Sequence, residues 1–173
     1  MLALSAVAVS SALSAAVPAI RHTDAAPFDA AGKRVESVWK KADTCIRFVE
    51  VNTMDVALDQ SEAQFLFDDK NIYASLTGFY SAKIEKGDRS KTIGGVNNFE
   101  LLVKIGDGSS FHAIVDEFGR TLFEKDKSEV RDTGAVVNVE KGKASADRAF
   151  WRVNLTVPFA ASASSWLLLR KGA

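Results

Sequence analysis

Residues 65–76 read FLFDDKNIYASL: two short apolar runs around a charged, polar break. Phe65 and Phe67 alternate with Leu66 before the break, and Ile72, Ala74 and Leu76 alternate with Tyr73 and Ser75 after it. Period-two patterning is the mark of a strand with one face buried. Asp and Asn favour the intervening bend because their short side chains bond to nearby backbone. The stretch therefore reads as a hairpin, with Asp68 and Asp69 as its turn. A catalytic carboxylate pair must straddle a substrate from separate elements, one of the two with a raised pKa. Adjacent aspartates at a hairpin tip both stay ionised and fail that requirement.

The same period extends outward along the chain. In CIRFVEV, Ile46 and Phe48 alternate with Cys45, Arg47, Val49 and Val51. Ala63 joins Phe65 and Phe67 on one face, and NNFELLVKI aligns Phe99, Leu101, Val103 and Ile105. SSFHAIV aligns Phe111, Ala113 and Val115; FWRVNLTVPF aligns Trp151, Val153, Leu155, Val157 and Phe159; WLLLR is a last candidate strand. The runs are separated by the turn signals DDKN, GDGSS, DEFGR and EKGKASADR. Many short strands with no helices between them predict an all-β fold, an antiparallel sandwich of jelly-roll or immunoglobulin-like type. One short helix is predicted before it, around Glu36 to Lys41, where Val35, Val38, Trp39 and Ala42 share a helical face.

The composition permits a single domain with a sizeable core: 173 residues, 47% apolar, 25% charged. Lys plus Arg is 22 and Asp plus Glu is 22, a balance that excludes the basic excess of a nucleic-acid binder. Cys45 is the only cysteine, so no internal disulfide and no cysteine cluster for zinc can form. It is expected to be a buried, inert thiol. Residues 1–19 are small and apolar as far as Pro18, which reads as a signal peptide lacking its basic start. Its small residues and Pro18 make a poor membrane span. The expected mature domain is 20–173, secreted, periplasmic or on the cell surface.

No reaction apparatus stands out. His22 falls in the leader or linker, and His112 alternates out of phase with Phe111 and Ala113. No phosphate loop, HExxH or GxSxG elbow occurs. A domain with a core and no such motif reads as a binding module rather than an enzyme, and neither cofactor nor metal is expected.

Taken in order, several runs resemble the family-nine carbohydrate-binding modules and the wider DOMON-like sandwich group. The opening Asp-Gly followed by Trp is similar to Asp29, Gly32 and Trp39. The Asp-Asp-x-Asn turn between strands is similar to AQFLFDDKNIYASL, and a strand with an inward Glu to NNFELLV, with Glu100 in that place. FHAIVDEFGRT, WRVNLTVPF and the closing WLLLR resemble later strands, so the likeness spans Asp29 to Arg170. The chain departs from the pattern where Ala30 and Ala31 split the Asp-Gly, where Asn154 replaces a Glu, and where GFYSA replaces acidic residues of a calcium site.

The resemblance implies a non-catalytic module for poly- or oligosaccharide, supporting carbohydrate catabolism beside glycoside hydrolases as partners. Sugar binding of this kind stacks pyranose faces on exposed aromatics and bonds hydroxyls to amides, carboxylates or Arg. The candidates are Tyr80, Phe118 and Trp166 as platforms, with Asn98 and Arg170 for hydroxyls. Phe79 is a lesser platform. The polar loop SAKIEKGDRSKTIGGVNN is expected to wall a groove at the sandwich rim, next to Tyr80 and Asn98. A DOMON-like haem domain is the alternative from another class, and Met54 with His112 is its one candidate ligand pair. A structural surface sandwich is the third reading.

Overall fold

The computed structural model describes residues 19–46, 48–49, 53–56, 60–80, 86–104 and 110–159. The leader, WLLLR, Trp166 and Arg170 lie outside the described residues.

Among the described residues ten strands form two sheets: β1 (Arg21–His22), β2 (Thr44–Cys45), β3 (Glu62–Phe67), β4 (Asn71–Phe79), β5 (Asn98–Lys104), β6 (Ser110–Asp116), β7 (Thr121–Lys125), β8 (Ser128–Glu129), β9 (Val136–Lys143) and β10 (Ala149–Pro158). The larger sheet runs β1-β3-β4-β10-β9, with β2 also on β3; the smaller runs β5-β6-β7-β8. Every pairing is antiparallel except β1 on β3. The fold is thus the expected all-β sandwich. The one α-helix among the described residues, α1 (Glu36–Trp39), falls where the apolar spacing predicts it.

The hairpin at residues 65–76 is as read. Asp68 donates its N–H to the Asn71 carbonyl at 3.0 Å. Its Oδ1 accepts the N–H groups of Lys70 and Asn71, each at 2.7 Å, and the Tyr73 hydroxyl donates to Oδ2 at 2.5 Å. Asp69 is almost wholly exposed. Burial acts to raise the Asp68 pKa, but the donors from Tyr73, Lys70 and Asn71 outweigh it and hold the carboxyl below its usual range.

Between the sheets the alternating apolar residues interlock as expected. Ala74, Leu76, Trp151, Val153, Leu155 and Val157 face Phe99, Phe111, Ala113 and Val115. The Trp151 and Phe99 rings, one from each sheet, meet at 4.5 Å between centroids. Trp151 is directly opposite Gly78, where an added Cβ would lie 2.6 Å from the indole nitrogen. Gly78 is therefore required by close approach, since any side chain there displaces the indole.

The outer face of the larger sheet is covered as well. Trp39, Ala42, Leu66 and Tyr73 make a second buried cluster, with Phe28 and Val38 packed on it. The Trp39 indole N–H donates to the Pro27 carbonyl at 2.8 Å, so this buried ring leaves no donor unpaired. The Gly32 carbonyl accepts from Asn154 at 3.0 Å and Asn138 at 3.1 Å, docking the Asp29–Lys33 turn on the sheet. Asn154, read above only as a departure, is one of the clips that hold this cover down.

Several expectations need correction. His22 is in β1, beside β3, rather than in a leader or linker. Strand β9 runs through Glu140–Lys143, residues that carry turn signals, because eight of its residues pair with β10. Conversely CIRFVEV yields only β2 and an isolated Val49–Val56 bridge among its described residues. Cys45 is half-buried, and burial followed by the nearby Asp43 charge pushes its thiol pKa up. Glu100 points outward, because the alternation that sends Phe99 and Leu101 into the core sends it to the opposite face.

Trp151→Ala is expected to cost about 3–5 kcal/mol, the usual loss for a buried aromatic. Chemical denaturation measures it, and a loss below ~1 kcal/mol would contradict the inter-sheet role of the indole.

Candidate functional site

One end of the sandwich gathers four pieces of chain: Tyr80 leaving β4, the loop 86–97 before β5, the β6–β7 turn at 116–120, and Lys141 on β9. The turn is made by Asp116, whose Oδ1 accepts the N–H groups of Phe118 and Arg120, each at 2.9 Å. Arg120 binds Asp116 Oδ2 through Nε at 2.5 Å and reaches across to the loop. Its Nη1 donates to the carbonyls of Lys91 at 2.7 Å and Arg89 at 3.3 Å. A single guanidinium thus ties turn to loop, a use suited to its rigid fork of donors.

Glu117 is the centre of this end. Its side chain is 0% exposed, yet both of its oxygens accept from donors around it. Oε1 accepts the Gly87 N–H at 2.6 Å and the Asn97 amide at 2.9 Å. Oε2 accepts the Tyr80 hydroxyl, with the Lys141 ammonium 3.7 Å away. A buried carboxylate is tolerated only when so satisfied. Gly87 permits the approach, since a Cβ there would sit 2.5 Å from Glu117 Oε1 and 2.9 Å from Val96 Cβ. Burial first, then the bond to Glu117, pushes the Tyr80 pKa far above its ordinary value of 10.

Next along the turn, the half-buried Phe118 ring meets three cations. Lys141 Nζ is 4.9 Å from its centroid, and the guanidinium carbons of Arg89 and Arg120 are each 5.7 Å away. Asp116 and Glu117, adjacent carboxylates, are both consumed by the bonds above, so neither is placed to act on a substrate.

The structure brings Tyr80, Asn98 and Phe118 to this end. Phe118 presents its ring beside cations. Tyr80 packs on the core and its hydroxyl is engaged by Glu117, so its ring is a wall rather than a free platform. Asn98 is 8% exposed, and its amide nitrogen donates to the Val96 carbonyl at 3.0 Å and the Ile93 carbonyl at 3.5 Å. Its buried Oδ1 has no partner. Phe79 lies at the sheet end under the Arg148 guanidinium, 3.7 Å from the ring centroid. Sequence reading missed Glu117, Arg89, Arg120 and Lys141. The DEFGR motif signals a turn, but not that its Glu is buried against Tyr80.

Elsewhere two clefts open. One, of about 440 Å³, lies between β1 and α1 with His22, Asp24 and Lys41 on its walls. The other, of about 400 Å³, lies along 121–123 and 129–135, and its Phe123 ring is already stacked on Phe111. His112 stands on the outer face of the smaller sheet with Nδ1 2.9 Å from Glu124 and Nε2 3.3 Å from Glu100. Both ring nitrogens are engaged, and Met54 sits in an exposed loop, so this pair does not fit a haem ligand set. Among the described residues no group of three His, Cys, Asp or Glu side chains is placed to hold a metal ion. No described helix is long and apolar enough to cross a membrane.

The fold is that of the family-9 carbohydrate-binding modules. A module of that family from Caldicellulosiruptor kristjanssonii, solved in complex with cellotriose, superposes with a TM-score of 0.54 at 11% identity. The match covers 80% of this chain and 65% of that one, so this chain spans just under two thirds of its length. A module from the same organism in complex with glucose gives a TM-score of 0.54 at 13% identity, covering 89% and 71%. No family model and no curated protein matches the sequence. The likeness is one of architecture.

Two outcomes follow from Glu117 and its tyrosine. Glu117→Ala removes the acceptor shared by three part-buried donors, and is expected to lower stability by about 2–4 kcal/mol in a denaturant melt. The chain has only two tyrosines, Tyr73 and Tyr80, and both have raised pKa values, that of Tyr73 at about 12 through burial and then Asp68. A raised folded-state pKa contributes stability fully below about 10 that is lost as pH rises towards 12. Tyrosinate absorbance should therefore emerge together with unfolding across that window; its appearance near pH 10 in the folded protein would contradict the two hydroxyl bonds.

Proposed function

We propose that this chain is a non-catalytic carbohydrate-binding module that holds a poly- or oligosaccharide at the Tyr80–Phe118 end of the sandwich. The observation that carries this reading is the joining of loop 86–97 and turn 116–120 through Glu117 and Arg120. It presents an aromatic ring among fixed polar groups. Loops held at the end of a rigid sandwich are where such domains place binding groups. Sugar binding uses an aromatic surface with a few oriented polar groups around it. The solved modules of this fold, in complex with cellotriose and with glucose, support the ligand class.

In this reading Phe118 supplies the platform, Tyr80 the wall and Asn98 the loop geometry, and its Oδ1 is the one buried acceptor there without a partner among the described residues. Trp166 and Arg170 are proposed to extend the site from the C-terminal segment. Recognition is calcium-independent and without hydrolysis. Service beside glycoside hydrolases outside the cytoplasm, after removal of residues 1–19, belongs to the same proposal.

Calorimetric titration of neutral and acidic oligosaccharides tests it. Binding in the micromolar to millimolar range, about 4–8 kcal/mol, is expected for at least one of them. Phe118→Ala should weaken that binding about tenfold or more with the thermal midpoint little changed, the loss of one stacked ring. Unaltered binding by Phe118→Ala would remove this end of the sandwich as the site, and silence across the panel would remove the function.

A further inference from the structure

Resting on that reading, we infer that the saccharide is acidic: a uronic-acid sugar whose carboxylate is held by Arg89 and Lys141 at the Phe118 ring. The chain as a whole is neutral, yet this ring collects three cations. Arg120 is committed to Asp116 and to two loop carbonyls. Glu117 is already satisfied by Gly87, Asn97 and Tyr80, leaving Lys141 3.7 Å from it and 43% exposed. Arg89 is exposed, and among the described residues it is in no ion pair. The acid beside it, Asp88, instead accepts from Ser90 through its N–H at 2.9 Å and its hydroxyl at 2.8 Å.

The charges are therefore unequally exposed at this spot. Both acids of the turn face inward and are hydrogen-bonded, while two cations face outward over one aromatic ring. A neutral pyranose stacked on Phe118 offers the cations beside the ring no counter-charge. A sugar carboxylate does. It accepts from the planar Arg89 fork, in the bidentate geometry that guanidinium and carboxylate share, and from the Lys141 ammonium. Hydrogen bonds to charged groups are the stronger kind, so the acid group should dominate the selectivity.

The test compares a uronic-acid oligosaccharide with its carboxyl-reduced counterpart, a sulfated oligosaccharide of similar length, and neutral cellotriose, by calorimetry. The proteins are wild type, Arg89→Gln, Lys141→Gln and the double variant, each confirmed folded by its thermal melt. The uronic-acid sugar is expected to bind about tenfold or more tighter than its reduced counterpart, with the advantage shrinking in each single variant, vanishing in the double variant and falling with added salt. Equal binding of the acidic and reduced sugars overturns the acidic specificity and leaves carbohydrate binding standing. A preference that survives the double variant overturns the assignment to Arg89 and Lys141. Tighter binding of the sulfated sugar than of the uronic-acid sugar overturns the choice of carboxylate. Silence with all four ligands overturns the carbohydrate reading and this inference with it.

Discussion

The contact between Trp151 and Phe99 fixes how the two sheets of this protein meet. The indole comes from β10 of the larger sheet, packs closely over Gly78, and reaches the phenyl ring of the smaller sheet. Around it the small residues Ala74 and Ala113 and the branched Val115, Val153 and Val157 fill the remaining space. Large beside small is how facing sheets interdigitate at the density of a native core. Because Phe99 is the second residue of β5 and Gly78 nearly ends β4, the same contact holds together two strands that lead to the candidate site.

The larger sheet is unusual in having two buried faces for part of its width. Leu66 and Tyr73 on its outer side would be exposed apolar surface without the Trp39 segment, and Ser75, Thr77 and Asn154 would be open to water. The N-terminal segment covers both kinds. Its aromatic residues Phe28 and Trp39 take the apolar part, and its Gly32 carbonyl and Arg34 take the polar part, with Arg34 donating to Ser75 at 3.2 Å. A cover held by apolar burial and by satisfied hydrogen bonds together tolerates no sliding, since a shift orphans the asparagine amides.

At the sandwich end, electrostatics takes over from packing. Two adjacent acids in the β6–β7 turn point inward and organise everything near them: Asp116 shapes the turn and holds Arg120, while Glu117 holds Gly87, Asn97 and Tyr80. The positive side chains are left outward around Phe118. Neutrality of the whole chain thus coexists with a group of outward-facing cations, because the two acids of the turn beside them are buried and already hydrogen-bonded.

Strands, turns and fold class were legible in the sequence because they rest on local rules. The period of two exposes the buried face of β3, β4, β5, β6 and β10, and the Asp68–Asn71 bend follows from side chains bonding to their own backbone. Strand β9 was not legible, since Glu140–Lys143 are polar and gain their strand state from the ladder to β10 rather than from their own propensity. Tyr80 and Asn98 could be placed near one another because they flank one loop, and Phe118 could be placed at a loop tip but not beside them. What they do there could not be. Glu117 lies 37 residues from Tyr80, Arg120 is 29 residues from Lys91, and Lys141 comes from a different sheet. No spacing rule links such residues; only the packing of one sheet on the other brings a buried acid, its donors and an outward ring of cations to one place.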